Sequence, residues 1–155
     1  MATYADAFGT LVPSTGGAWL PELKRAAFDR FTTLGFPTTR NEDWHYTSVT
    51  PIAEKTFRPL GGGKGSSGLT STDIAALAIG ESSWHRLVFV NGRFEPGLSA
   101  YAGLPAEVAV LTLAEEIKAM PELVAERLGK LAASSDSSFT AMDTAFVHDG
   151  VVIVV

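Results

Sequence analysis

The chain has 155 residues, with 12 Lys and Arg against 17 Asp and Glu, a formal net charge of −5, and no cysteine. A length of this kind suits one domain, or one domain and a short piece of another, and it builds a core without metal or disulfide staples. The charge balance excludes the basic stripe that nucleic-acid binding needs, and the lack of thiols excludes a disulfide scaffold and any thiolate site for zinc or an iron–sulfur cluster within these residues.

No apolar run approaches a bilayer span, and the first thirteen residues hold Asp6 and no basic residue, unlike a signal peptide. A cytoplasmic location is the resulting expectation. In chain order, residues 3–11 fit a short helix, and Ser14-Thr15-Gly16-Gly17 breaks it. Residues 18–34 carry Leu20, Leu23, Ala27, Phe31 and Leu34 at steps of three and four, the pattern of one apolar helix face. Glu22, Lys24, Arg25, Asp29 and Arg30 are assigned to the opposite side, and the basic trio Lys24, Arg25 and Arg30 to a solvated face. Gly35 and Pro37 end the helix.

Thr39 to Glu42 has the spacing of a capping box, leading into Trp44-His45-Tyr46-Thr47, and Thr50-Pro51 opens another short helix. Residues 59–68 contain five glycines in ten positions and read as a flexible surface loop. Thr70 to Asp73 is a second capping box, opening a helix over 70–79 that Gly80 stops. Leu87-Val88-Phe89-Val90 and the residues after Arg93 flank Asn91-Gly92, which predicts a hairpin with a type I′ turn. A strand over 108–111, helices over 112–120 and 121–128, a serine-rich linker over 134–138 and a short helix over 139–146 follow. His148-Asp149-Gly150 turns into the run Val151-Val152-Ile153-Val154-Val155. That run invites pairing along its edges, either with the domain's own small sheet or with a second copy as a homodimer.

The motifs that carry chemistry are thin. Gly63-Lys64-Gly65-Ser66-Ser67-Gly68 has the glycine spacing of a dinucleotide loop, but Arg58-Pro59 precedes it in place of a buried strand. A phosphate-binding P-loop would need Gly at 58 and Ser or Thr at 65, where Arg58 and Gly65 stand. His45, His85 and His148 have no second ligand at metal-binding spacing apart from Asp149 beside His148. Glu115-Glu116 fits the first turn of a helix, where carboxylates meet the dipole. The denser cluster is Glu42-Asp43-Trp44-His45-Tyr46, two carboxylates and two large aromatics in five residues. It reads as a capping turn whose aromatics plug the core, or as a docking surface built on Glu42, Trp44 and Tyr46.

Several stretches resemble, in order, the N-terminal region of SufD in the SufB/SufD family of iron–sulfur cluster assembly proteins. They are Trp19-Leu20-Pro21-Glu22-Leu23-Lys24-Arg25, then Gly35 through Thr47 with its Gly-x-Pro-x-x-Arg-x-Glu-x-Trp-x-Tyr-Thr pattern, then Arg86-Leu87-Val88-Phe89-Val90-Asn91-Gly92-Arg93-Phe94, and Phe139 through Phe146. The family usually has Lys where this chain has His45, and Asn where it has Asp143. The resemblance implies an α+β fold, in which an N-terminal helical domain with a small hairpin over 1–138 leads into the first strand of a truncated right-handed parallel β-helix over 139–155. It implies a non-catalytic scaffold subunit of the SufBCD complex, with SufB and SufC as partners through parts mostly outside this chain and with no bound cofactor. The alternatives are a SufB-like paralogue, a stand-alone interaction domain, or a small enzyme using residues 42–46.

Overall fold

The computed structural model describes residues 2–11, 17–57, 68–132 and 137–155. Seven α-helices and four short strands are present among them: α1 (Ala2–Leu11), α2 (Trp19–Leu34), α3 (Thr50–Ala53), α4 (Ser71–Leu77), β1 (Phe89–Val90), β2 (Arg93–Phe94), β3 (Ala109–Thr112), α5 (Leu113–Ala119), α6 (Pro121–Ala125), α7 (Ser138–Phe146) and β4 (Val151–Val154). Mixed helices and small antiparallel sheets make the fold α+β. No helix among the described residues is long and apolar enough to cross a membrane. The glycine-rich loop expected over 59–68 lies outside the described residues except for Gly68, as does most of the serine linker.

The chain divides into two compact units, one drawn from residues 1–61 and 117–147, the other from 62–116 and 148–155. Residues 139–147 belong with the first unit and only 148–155 with the second.

In the first unit α2 and α7 pack along their lengths, and α1 joins α7. The contact face of α7 is made of Ala141 and Ala145, both fully buried, one helical turn apart. Ala27 is equally buried on α2. Small side chains on facing helices let the backbones approach, and the large rings then fill the flanks. Tyr4, Phe31 and Ala141 form the core, with Phe28, Phe36, Met142 and Phe146 around them. The rings meet mostly edge to face, Tyr4 to Phe31 at 6.0 Å and Phe31 to Phe36 at 5.3 Å between centroids, while Phe8 stacks on Phe28 at 4.3 Å. These are the offsets that aromatic quadrupoles favour. The Tyr4 hydroxyl has no hydrogen-bond partner in this core, and burial raises its pKa above the ordinary value. Pro21 sits in the first turn of α2, where its missing N–H costs nothing, and Gly35 at φ 65° ends the helix by donating to the Phe31 carbonyl at 2.8 Å.

In the second unit the expected hairpin is present. Phe89 pairs with Phe94 and Val90 with Arg93, and Asn91 and Gly92 take φ of 52° and 77°, as the turn requires. A 3₁₀ turn over Pro96–Leu98 then interrupts the returning strand. The Ser99 hydroxyl bridges the interruption, accepting from the Val88 N–H at 2.8 Å and donating to the Glu95 carbonyl at 2.9 Å. Pairing resumes at Arg86 and Ala100. The second sheet is β3 with β4, antiparallel, Ala109 opposite Val154 through Thr112 opposite Val151. Of the two fates considered for the C-terminal apolar run, pairing within the domain's own sheet is the one seen. The opening strand of a right-handed parallel β-helix is not seen among the described residues, where this strand runs antiparallel to β3.

Helix caps follow the sequence in part. Thr70 and Asp73 form the expected capping box of α4. The box expected at Thr39 and Glu42 does not form. Asn41 stands at the head of the 3₁₀ turn Glu42–Trp44, and its side-chain oxygen reaches back to accept from the Thr38 N–H at 2.8 Å. Ser137, assigned to the linker, caps α7 by accepting from the Thr140 N–H at 3.2 Å.

Candidate docking motif

Residues 41–47 wind through consecutive tight turns, with Trp44 N–H donating to Asn41, His45 to Glu42 and Thr47 to Trp44. This winding sorts the side chains of the dense cluster to two sides. Glu42 and Asp43 are exposed, and their side chains make no hydrogen bond or ion pair among the described residues. Trp44 turns inward and is half-buried. Its ring lies 5.2 Å from Phe139 on α7, which lies 6.0 Å from Phe36. Trp44 does not itself fill the core in the way the capping-turn reading expects. It instead closes a chain of rings that reaches that core through Phe139 and Phe36. His45 sits at the rim, its Nδ1 3.2 Å from the Thr39 carbonyl oxygen. Tyr46 stands edge-on to the His45 ring at 4.7 Å and is 96% exposed.

Of the three residues singled out in the sequence, one is therefore a structural plug and two face solvent. Tyr46 is an exposed large aromatic whose described ring neighbour is His45.

The other candidate positions resolve into structural roles. The Asp149 carboxylate accepts from the Phe94 N–H at 3.0 Å and from its neighbour Gly150 at 2.8 Å, so it caps the hairpin. His148 lies beside Gly92, and His85 is exposed. No group of three His, Asp or Glu side chains among the described residues could hold a metal ion. Glu115 accepts from the Thr112 hydroxyl at 2.5 Å. Glu116, next to it, is buried, and its Oε2 has no hydrogen-bond partner.

One residue was assigned to the wrong face. Lys24, read as part of a solvated basic face, is 1% exposed. Its Nζ donates to the Val147 carbonyl at 2.7 Å, and burial pulls its pKa below the ordinary lysine range. The signal was present in the spacing: Leu20, Lys24, Ala27 and Phe31, the buried positions of α2, fall at steps of four, three and four. Leu23, on the apolar stripe expected from the sequence, is only half-buried. Arg25 is exposed as expected, while Arg30 is half-buried and partnered.

Comparison with known proteins brings one family forward. Residues 5–155 match the family model described as the SufBD protein N-terminal region. The chain is similar to an iron–sulfur cluster assembly SufBD family protein of Synechocystis, 27% identical over 146 residues. That match covers 92% of this chain and 30% of the relative, so the chain spans under a third of that protein's length. No solved structure matches.

Proposed function

The chain belongs to the SufBD family, and on that premise we propose that it is the N-terminal, non-catalytic part of a SufD-type scaffold subunit serving iron–sulfur cluster assembly. The observation that carries the reading is the family match over nearly the whole chain, joined by the relative named for that process. The complete lack of cysteine fits it, since this stretch can offer no thiolate to a nascent cluster. In this reading the remainder of the subunit carries the β-helix and the main contacts to SufB and SufC, in a cytoplasmic SufBCD assembly.

Within that assembly the 42–46 turn serves as a docking point rather than a catalytic one. Solvated Glu42 and Asp43 and a nearly bare Tyr46, set on a Trp44 plug, support docking over the enzyme alternative. A SufB-like identity is the runner-up. The hairpin sequence from Arg86 to Phe94 favours SufD.

The test uses the full-length protein that contains this chain, purified with candidate SufB and SufC subunits. Co-elution of the three, with Tyr46→Ala and Glu42→Lys weakening the assembly at unchanged melting temperature, supports the reading. Nucleotide hydrolysis or cluster binding by residues 1–155 alone overturns the non-catalytic part of it.

A further inference from the structure

Among the described residues, Lys24 is one of the two largest side chains that are fully buried. Its hydrogen bond to Val147 spans 123 positions of sequence, and no carboxylate pairs with it among the described residues. An ammonium in that position loses its hydration and recovers one charge-assisted bond to a carbonyl. Such an arrangement costs stability relative to an apolar side chain of the same shape.

The carbonyl it holds is at a particular place. Val147 is the residue at which α7 stops, leaving the helix with φ −56° and ψ 129°. There is no glycine there and no backbone hydrogen bond of the kind by which Gly35 closes α2. A helix of nine residues is short enough to fray, and its last carbonyls lack intrahelical partners. A cation at that end answers both the unpaired carbonyl and the negative pole of the helix.

We propose that Lys24 is a conformational clasp: it fixes where α7 ends and how the chain leaves it, at the expense of overall stability. It does the job of a C-terminal cap from a neighbouring helix, and so makes the end of α7 depend on α2 being in place. Specificity of structure is obtained here from a polar contact that an apolar residue would make more cheaply.

The experiment compares the unaltered chain with Lys24→Met, which keeps the length and apolar stem but removes the donor. Two quantities are read: the urea midpoint, and amide hydrogen exchange in the last turn of α7, at Ala145, Phe146 and Val147. The expected result is an equal or higher midpoint together with exchange at those amides faster by about tenfold, as loss of a charge-assisted bond predicts. Exchange that is unchanged, or that moves by the same factor throughout the first unit, overturns the clasp. So does a lower midpoint or a variant that fails to fold, because Lys24 is then a simple stabilising contact. A second reading needs no substitution. The Lys24 side-chain ammonium should exchange its protons far more slowly than those of exposed Lys55 and Lys118, and equal rates would sink the proposal.

Discussion

Single residues in the first unit show how far a core can depart from a purely apolar one. Tyr4 presents a buried hydroxyl without a partner, so its oxygen loses water and gains nothing. Tyr4→Phe removes that deficit and keeps the ring contacts, and the urea midpoint should stay level or rise, by up to about 1–3 kcal/mol of unfolding free energy. Lys24 leads to a pH effect of defined sign. Its native pKa is lowered, so between that value and the ordinary 10.5 the unfolded chain holds more protons than the native one. Stability from this group is therefore lowest below its native pKa and rises with pH through the window. Tyr4 acts in the opposite sense above its ordinary 10.0, where the unfolded chain ionises first and stability falls. Chemical denaturation at a series of pH values should show the rise below about pH 10 in the unaltered chain and its loss in Lys24→Met. Trp44 tests the motif. Because its ring is half-buried on Phe139, Trp44→Ala should cost about 1–3 kcal/mol, less than the roughly 3–5 kcal/mol of a fully buried ring. An unchanged melting temperature would mean that the ring contributes nothing to the fold.

At the scale of elements, what the sequence made legible is what short-range chemistry decides. The Thr70–Asp73 box, the Asn91-Gly92 turn, Gly35 at the end of α2 and Pro121 at the start of α6 act within four residues of themselves. The features that escaped reading depend on partners far along the chain. Nothing near Lys24 announces that Val147 lies above it, and nothing near Ala141 or Ala145 says that α2 will press on them. The docking trio was found by composition, but which of its members turns inward was set by Phe139, almost a hundred positions away. The Thr39 box failed for a local reason: Asn41, inside it, made the competing bond to Thr38 first. The packing of α2 on α7 gives the sharpest check at this scale. Ala145 is fully buried on the helix that packs along α2, so Ala145→Leu should cost about 1–3 kcal/mol by overpacking, read as a lower urea midpoint. Full tolerance of leucine there would contradict the close approach of the two helices.

The whole molecule is interlaced in sequence. The first unit takes its helices from both ends of the chain's course, and the second takes β3 from the middle and β4 from the last residues. No single cut separates them. A chain ending at residue 132 keeps α1 and α2 but lacks α7 and β4, and its expected behaviour is loss of cooperative unfolding in both units, followed by calorimetry. A sharp transition in that truncated chain would show the first unit to be self-sufficient without α7. The same interlacing has a consequence for synthesis. Phe28 and Phe31 on α2, and Phe36 just after it, are made early, while the alanine surface of α7 leaves the ribosome about a hundred residues later. At roughly 5–20 residues per second that is a wait of about 5–20 s with a ring of phenylalanines uncovered. The most aggregation-prone moment of this stretch therefore falls while the chain is still being made.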